Sequence, residues 1–370
     1  MNWDEDAYKS ILKTCSKNII TQDGVVLKTL IINIRDSAMN LSLLPYYALY
    51  CRSAKEYLFI EDSENDIENE VEDIRDGLKI FTGRYSKSKS MVRKSDDQQN
   101  KYFRSDLRFP FTKRLNIHLN LGVYFNDQGK VVFDTQLANY FLNMHKGGEE
   151  SFDNHAMMIG QKLGSEIAEI LVNSLEVNDL WSMEDYLNDV PQYGYIDFNT
   201  NRCHNFFNQS YDKETNLVLL HMLSMIGFVN NLLVPVFQTR NIWLLRILYI
   251  TIHNTWFGIK KLKQHFEQNN SSNTNAFNDF EKIEGNTKLF SSSFRNCMMH
   301  YGLIDKNDCP IILQECYDST KPLYGLVESC FNGMPFDQYY DELYGLSQRI
   351  EEQLLSYFNI DLKKIHWDWN

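Results

Sequence analysis

Two long apolar segments follow one another in the second half of the chain, and they constrain its fold more than any other feature. They cover residues 213–237 and 241–268. Each is long enough to cross a bilayer or to form a long buried helix. The second contains Arg246, His253 and Asn254 within its apolar run. Because charged and amide side chains are costly in lipid, we interpret both segments as buried core helices and predict no membrane association.

Two further segments follow with helical spacing, at residues 276–304 and 335–358, after a polar linker at 269–275. The last of them places apolar residues along one stripe, which is typical of a helix packed on one face. Four helices of similar length joined by mostly short links favour an antiparallel bundle. We therefore predict a helical bundle domain over residues 210–370.

The sequence of the first 209 residues predicts a mixed α+β domain with a sensing, binding or regulatory role. Apolar and polar residues alternate from Leu115 to Phe125, the "NDQG" that follows is typical of a turn, and "KVVF" returns as a second strand. Helical spacing lies on both sides of this β-hairpin. The basic, polar stretch at 86–101 lacks periodicity and predicts an exposed loop. The predicted fold class is α+β and mostly helical, with a mixed domain at 1–209.

The charge of the chain limits how it binds other molecules. Its net charge is −12, so any RNA binding must use a local basic patch. The acidic run at 61–76 is read as the solvated face of a helix, with a site for a metal ion or a basic partner as the alternative. A metal-dependent enzyme that uses this run ranks below the other functions considered.

Cysteine and glycine patterns exclude several common sites. The seven cysteines are scattered without a C-x-x-C pair, which favours free thiols and a cytoplasmic location over a zinc site. No phosphate-binding glycine loop, G-x-S-x-G elbow or H-E-x-x-H motif occurs. We accordingly predict neither a cofactor nor a bound metal.

The segment "SSSFRNCMMHYGLID" carries the chemistry that the rest of the chain lacks. On a helix, its apolar residues form one face, which consists of Phe294, Cys297, Met298 and Tyr301. Asn296 and His300 are four residues apart and share another face. Arg295 starts roughly 140° away from His300 around a helix of 3.6 residues per turn, but its side chain is long enough to reach that face.

These residue types suit RNA cleavage without a metal. A histidine can take the proton from a 2′-OH or protonate a leaving 5′-oxygen. An arginine stays charged and can hold a phosphate with two hydrogen bonds while stabilising the extra charge of the transition state. An asparagine can orient the phosphate or the imidazole. The candidate catalytic residues are Arg295, His300 and Asn296.

The segment "RNCMMH" resembles the R-x4-6-H motif of the HEPN family, whose small helical bundles occur in bacterial toxins, antiphage proteins and CRISPR ribonucleases. The resemblance covers about residues 210–360. It implies metal-independent endoribonuclease activity, with Arg295 on the phosphate, His300 as acid and base, and Asn296 in support. It also implies an RNA substrate, a homodimer that completes the cleft, and an antitoxin or a defence-system partner.

A second R-x6-H match, "RILYITIH" from Arg246 to His253, lies in an apolar run. We interpret it as core residues that are satisfied by buried partners. The alternative function for the whole chain is a non-catalytic protein whose bundle dimerises or docks a partner. Exposure of Arg295 and His300 near basic residues favours the enzyme, whereas burial among Phe and Met favours the alternative.

Overall fold

The computed structural model describes residues 3–60, 67–105, 118–144, 152–174, 187–269 and 288–367. Over these residues the protein is mostly helical and contains a three-stranded antiparallel sheet, which confirms the predicted fold class.

The described residues before 210 form six α-helices and the three strands of the sheet. The helices are α1 (Glu5–Asn33), α2 (Ser37–Leu58), α3 (Ile67–Asp76), α4 (Tyr85–Ser105), α5 (Thr135–Phe141) and α6 (Phe152–Ser174). Helix α2 starts where the Asp36 carboxylate accepts the Met39 N–H at 2.8 Å. Such an acceptor satisfies one of the N–H groups that every helix leaves unpaired at its start. Helices α1 and α2 both pack against α6.

The sheet has the strand order β2–β1–β3, with β1 (Leu121–Asn126) in the centre, β2 (Val131–Asp134) and β3 (Tyr193–Phe198). Strands β1 and β2 form the predicted hairpin. The earlier part of the predicted first strand, residues 115–117, lies outside the described residues. Strand β3 arrives from much later in the chain and pairs with β1 along its full length.

The part after residue 210 contains α7 (Lys213–Phe228), α8 (Ile242–Gln268), α9 (Ser292–His300), α10 (Leu326–Cys330) and α11 (Phe336–Leu355). Helix α8 packs against α7, α9 and α11, and α7 packs against α11, so the helices of the predicted bundle contact one another. The third helix is shorter than the predicted 276–304: its described part begins at Ser292 and ends at His300, and residues 270–287 lie outside the described ranges.

A π-helical turn directly after α7 is hydrogen-bonded to α11. It covers Val229–Leu233 and contains Asn230 and Asn231, whose amide groups donate to the two carboxylate oxygens of Glu351 at 2.7 and 2.6 Å. Glu351 is fully buried. A buried carboxylate is stable only when its oxygens are hydrogen-bonded, so the extra residue of the π turn has a structural role here.

Elements on the two sides of residue 209 pack closely. Helix α7 crosses strand β2, α1 contacts α8, and α2 contacts α9. Gly227 of α7 lies so near the sheet that a Cβ atom there would stand 1.8 Å from the main-chain oxygen of Val131. The division into domains at 1–209 and 210–370 remains a prediction.

The predicted loop at 86–101 is wrong, because these residues belong to helix α4. Beside Tyr85 and Val92, the helix buries four polar side chains, which are those of Ser88, Ser95, Asp96 and Gln99. Asp96 is fully buried, and its Oδ1 accepts from Asn120, Gln136 and Thr200 at 2.7–3.0 Å. Its Oδ2 accepts from Lys213 at 2.6 Å. A helix held by a buried polar network has no apolar periodicity for a sequence pattern to detect.

One helical stretch among the described residues, Lys213–Val236, is long and apolar enough to cross a membrane by length and composition. Most of its apolar window, 89%, is buried inside the fold. The rest of the protein therefore covers the surface that lipid would otherwise contact, as in the core helix of a soluble protein.

Candidate functional site

Helix α9 carries the three candidate catalytic residues and is fixed at its start by a serine. The Ser291 hydroxyl accepts the N–H of Phe294, as an N-cap residue does. The predicted apolar face is confirmed: Phe294, Cys297 and Met298 are buried. Burial raises the pKa of the Cys297 thiol, which fits a packing role rather than a nucleophilic one.

The other end of α9, where His300 lies, is fixed by side chains from two other helices. Arg246 of α8 donates from Nη1 to the main-chain oxygens of Cys297 at 3.0 Å and Met298 at 2.5 Å. The Ser53 hydroxyl of α2 donates to the main-chain oxygen of Met299 at 2.6 Å. A helix leaves its last carbonyls without intrahelical donors, and a cation at this end also suits the helix dipole. These bonds fix the backbone just before His300.

The residue after His300 joins the same buried network. Tyr301 adopts a left-handed conformation, φ 62°, which ends the helix. Its hydroxyl donates to Asp23 Oδ2 at 2.8 Å, and its ring lies 4.1 Å from the Arg246 guanidinium carbon. Arg246 Nε donates to the same oxygen at 2.7 Å. His300 therefore lies between two fixed backbone segments, because a residue on each side of it is bound to the core.

Of the second match, R-x6-H, Arg246 is buried and paired with Asp23, which confirms the interpretation for this residue, whereas His253 is only half-buried. Burial raises the pKa of the Asp23 carboxyl, while the Arg246 guanidinium and the Tyr301 hydroxyl act in the opposite direction. The sequence did not indicate that Arg246 also caps the helix carrying the first match. No spacing rule connects the two segments, so only the fold reveals this role.

The predicted polar face of α9 is accessible. Asn296 and His300 are exposed, and Arg295 is half-exposed. Among the residues that the structure describes, none forms a hydrogen bond or an ion pair with the side chains of these three. Within the described part of the chain, no side-chain pairing therefore competes with a ligand for these three residues.

A cluster of charges surrounds His300. Partial burial lowers the pKa of the imidazole, Glu56 acts in the opposite direction, and Arg295, Arg75 and Lys79 lower the pKa further. Two of these cations, Arg75 and Lys79, are themselves paired with Asp76. A histidine with a lowered pKa is neutral at physiological pH, which is the form that accepts a proton.

A second histidine on which the Arg295 charge acts, His253, lies in a cluster of rings. The His253 ring of α8 lies 4.5 Å from the Phe257 ring and 5.6 Å from the Phe290 ring. Burial lowers the pKa of His253 to about 4; the Asn254 side chain opposes this shift, and the Arg295 guanidinium adds to it. The Arg295 charge thus lowers the pKa of both imidazoles.

The acidic run is described only in part. Residues 61–66 lie outside the described ranges, and the rest belongs to α3. Its Asp76 carboxylate pairs with Lys79 at 2.9 Å and with Arg75 at 3.1 Å. Within the described ranges, no group of three or more His, Cys, Asp and Glu side chains is arranged to hold a metal ion.

Comparison with protein-family models, with curated proteins and with solved structures found no match for this chain. The similarity to the HEPN family consequently depends on the motif in α9 and on the helices around it.

Proposed function

We propose that this protein is a metal-independent endoribonuclease of the HEPN type. Arg295 binds the phosphate at the cleavage point, and Asn296 supports it. His300 takes the proton from the neighbouring 2′-OH, and the 2′-oxygen then attacks the phosphorus. The bond to the 5′-oxygen breaks, and His300 returns a proton to that leaving oxygen. The products are an RNA end with a 2′,3′-cyclic phosphate and an RNA end with a 5′-OH.

One observation carries this proposal: Arg295 and His300 are accessible and unpaired among the described residues, on a helix whose backbone is fixed at both ends. Catalytic groups act best when their positions are set before the substrate binds. The lowered pKa of His300 adds to this, since the imidazole is then neutral at physiological pH and can accept a proton. Arg295 and His300 are not buried among Phe and Met, an arrangement that would have favoured a non-catalytic role. The buried residues are instead their neighbours on α9.

The RNA follows the outer face of α8 away from Arg295. His253, Phe257, Lys260 and Lys261 recur at helical spacing along this face. Phe257 is 37% exposed, unlike the apolar residues of the same helix that face the core, and Lys261 is exposed. Aromatic rings alternating with cations bind single strands, since bases stack on the rings and phosphates lie near the charges. The substrate in this proposal is single-stranded RNA.

The proposal includes a homodimer in the cytoplasm, acting as a toxin or in antiphage defence with an antitoxin or another partner. A second copy would close the accessible surface around His300 into a cleft. None of the seven cysteines, all within the described ranges, forms a disulfide, which agrees with a reducing compartment. Light scattering at micromolar concentration tests the dimer, and a monomer would contradict this part of the proposal.

The enzymatic part is tested with purified protein and total RNA in EDTA. We expect the wild type to cut RNA and His300→Ala and Arg295→Ala to lose this activity while keeping the wild-type melting temperature. His204→Ala and Arg349→Ala change exposed residues of the same types elsewhere and should cut like the wild type. If the wild type leaves RNA intact, or if the α9 variants cut as well as it does, the proposal fails.

A further inference from the structure

The exposed side of helix α4 carries a line of three lysines, Lys87, Lys94 and Lys101. They are seven residues apart, so they recur on one face of the helix and drift by only about 20° per step. All three are exposed, whereas Ser88 and Ser95, each one residue further along, are buried on the side that packs on the fold. The line from Lys87 to Lys101 is about 21 Å long at the rise of an α-helix. We call these three side chains the lysine row.

The lysine row is left without an acidic partner. Among the residues that the structure describes, none forms an ion pair or a hydrogen bond with its three side chains. The carboxylates beside α4 pair with other cations: Asp212 with Lys89, and Glu214 with Arg93 Nε at 2.8 Å. Glu214 and, beyond it, Asp97, the exposed acid of α4, raise the pKa of Arg93. The row therefore faces solvent without a compensating ion pair, although the whole chain carries −12.

Helix α4 begins where the RNA path proposed on α8 ends. The ring of Tyr85, the first residue of α4, lies 4.6 Å from the His265 ring and 6.3 Å from the Phe266 ring. His265 follows Phe257 by two helical turns, which is about 12 Å along α8. The exposed Lys261 lies between them. A strand that leaves Phe257 toward the end of α8 therefore reaches the start of α4.

The side chains around the row favour a polyanion in solution over a membrane. Ser86, Ser90 and Asp97 share the exposed face of α4 with the row. A helix that lies on a lipid surface presents large apolar side chains beside its lysines, whereas no apolar side chain of α4 is exposed between residues 86 and 101. The exposed rings of Tyr102 and Phe103 come only after the row ends.

Lysines spaced along a helix suit a phosphate backbone. An ammonium group is a compact charge on a flexible stem, so it pairs with phosphates whatever base they carry. One phosphate cannot contact the first and the last lysine of the row together, because their positions on the helix are about 21 Å apart. The ligand that neutralises the whole row is therefore a chain of phosphates.

We infer that the lysine row binds the phosphate backbone of the RNA strand that the protein cuts, beyond the nucleotides that stack on α8. The inference rests on the proposed function, which supplies RNA as the ligand, and it deepens that function by setting the length of the substrate. A strand must extend from α9 along α8 to α4 to use every contact. The row is also the local basic patch that an acidic protein requires to hold RNA.

Binding of 2′-O-methyl single strands, which cannot be cut, tests the inference by fluorescence anisotropy at several salt concentrations. The variant Lys87→Gln/Lys94→Gln/Lys101→Gln removes the row and keeps good helix formers at the three positions. We expect it to bind a strand of about 20 nucleotides roughly tenfold or more weakly at about 50 mM salt. The slope of log affinity against log salt should become shallower by about 2, since each phosphate contact on a single strand contributes about 0.7. A strand of about 6 nucleotides is too short to cover α8 and α4 together, so the wild type should gain affinity with length and the variant should lose this gain.

The matched control is Lys13→Gln/Lys17→Gln/Lys28→Gln, which removes the same charge from exposed positions of helix α1. It should bind the long strand with the affinity and the salt slope of the wild type. Equal weakening in the two triple variants would show a general effect of net charge and overturn the inference. Wild-type affinity in the α4 variant, or no binding of the long strand by the wild type, would also overturn it. If the α4 variant lost binding to phosphatidylserine vesicles and kept binding to RNA, the row would belong to a membrane site instead.

Cleavage is not measured in this test, so the two proposals can fail separately. A wild type that binds the long strand through α4 but leaves RNA intact in EDTA would contradict the ribonuclease and support the lysine row. A wild type that cuts RNA, beside an α4 variant that binds RNA equally well, would support the ribonuclease and contradict the lysine row.

Discussion

The guanidinium of Arg246 donates to the main-chain oxygen of Met298 at 2.5 Å, two residues before His300. The same side chain donates to Asp23 at 2.7 Å. A buried ion pair of the core therefore also serves as the cap of the helix that carries the candidate catalytic residues. Stability and the position of His300 depend on one arginine.

Removing this arginine should destabilise the protein. Arg246→Met leaves Asp23 as an uncompensated buried charge, and we expect the free energy of unfolding to fall by about 3–5 kcal/mol. Denaturant titration measures the change, with Arg349→Met on the exposed face of α11 as control. The double variant Asp23→Asn and Arg246→Met should recover part of the loss. A single-variant loss below about 1 kcal/mol, the range of surface pairs, would contradict the account.

The contacts of Arg246 with Met298 and Asp23 also show which features could be predicted from the sequence and which could not. The apolar face of α9 and the exposure of Asn296 and His300 follow from helical spacing, which depends only on neighbours along the chain. The contacts of Arg246 with Asp23 and Met298 join residues far apart in the sequence, and no local pattern contains them. Helix α4 was not predicted for a related reason. Its contacts with the fold include the buried polar network of Asp96, and such a network leaves no pattern of apolar residues in the sequence.

The protein should become less stable as the pH is lowered, because of His253. The pKa of its imidazole is about 4 in the folded protein and about 6.5 when unfolded, so the unfolded state binds more protons between these values. The free energy of unfolding should therefore decrease as pH falls from 6.5 to 4, by less than about 1.4 kcal/mol per pH unit since the ring is partly exposed. His253→Phe, which keeps a ring beside Phe257, should flatten this part of the profile.

The control for His253 is His204→Phe, at an exposed histidine outside the ring cluster. This variant should keep the wild-type slope of unfolding free energy between pH 6.5 and 4. An unchanged slope in His253→Phe would show that another group causes the dependence.

The pH dependence of RNA cleavage should report the charges around His300. As a base, His300 must be neutral, so the rate should rise with pH and level off, with a midpoint below 6.5 because its pKa is lowered. Lys79→Ala removes a cation and should move the midpoint up. Glu56→Gln removes the opposing carboxylate and should move it down. Each shift should be roughly 0.2–0.7 of a pH unit, the size of exposed charge interactions.

Opposite shifts in these two variants are the decisive result, because a general loss of stability would move both midpoints in the same direction. Lys363→Ala, at an exposed lysine near the end of the described chain, should leave the midpoint unchanged. Shifts of the same sign in Lys79→Ala and Glu56→Gln would contradict the role given to His300.

Phe257 should contribute to binding of single-stranded RNA. We expect Phe257→Ala to weaken the binding of a 2′-O-methyl oligonucleotide, which cannot be cut, by about 1–3 kcal/mol, the contribution of one stacked base. Binding of a duplex of the same length should change little, since its bases are already stacked. Fluorescence anisotropy measures both, with the exposed Trp367→Ala as control. Equal losses for duplex and single strand would argue against stacking on α8.

The central claim is that Arg295 and His300 cut RNA without a metal, and the ends of the products test it most directly. A short single-stranded RNA is incubated in EDTA with wild type and with His300→Ala, and the products are analysed by mass spectrometry. The account predicts 2′,3′-cyclic phosphate and 5′-OH ends with the wild type and intact RNA with the variant. Intact RNA with both proteins, or the same products from both, would contradict it.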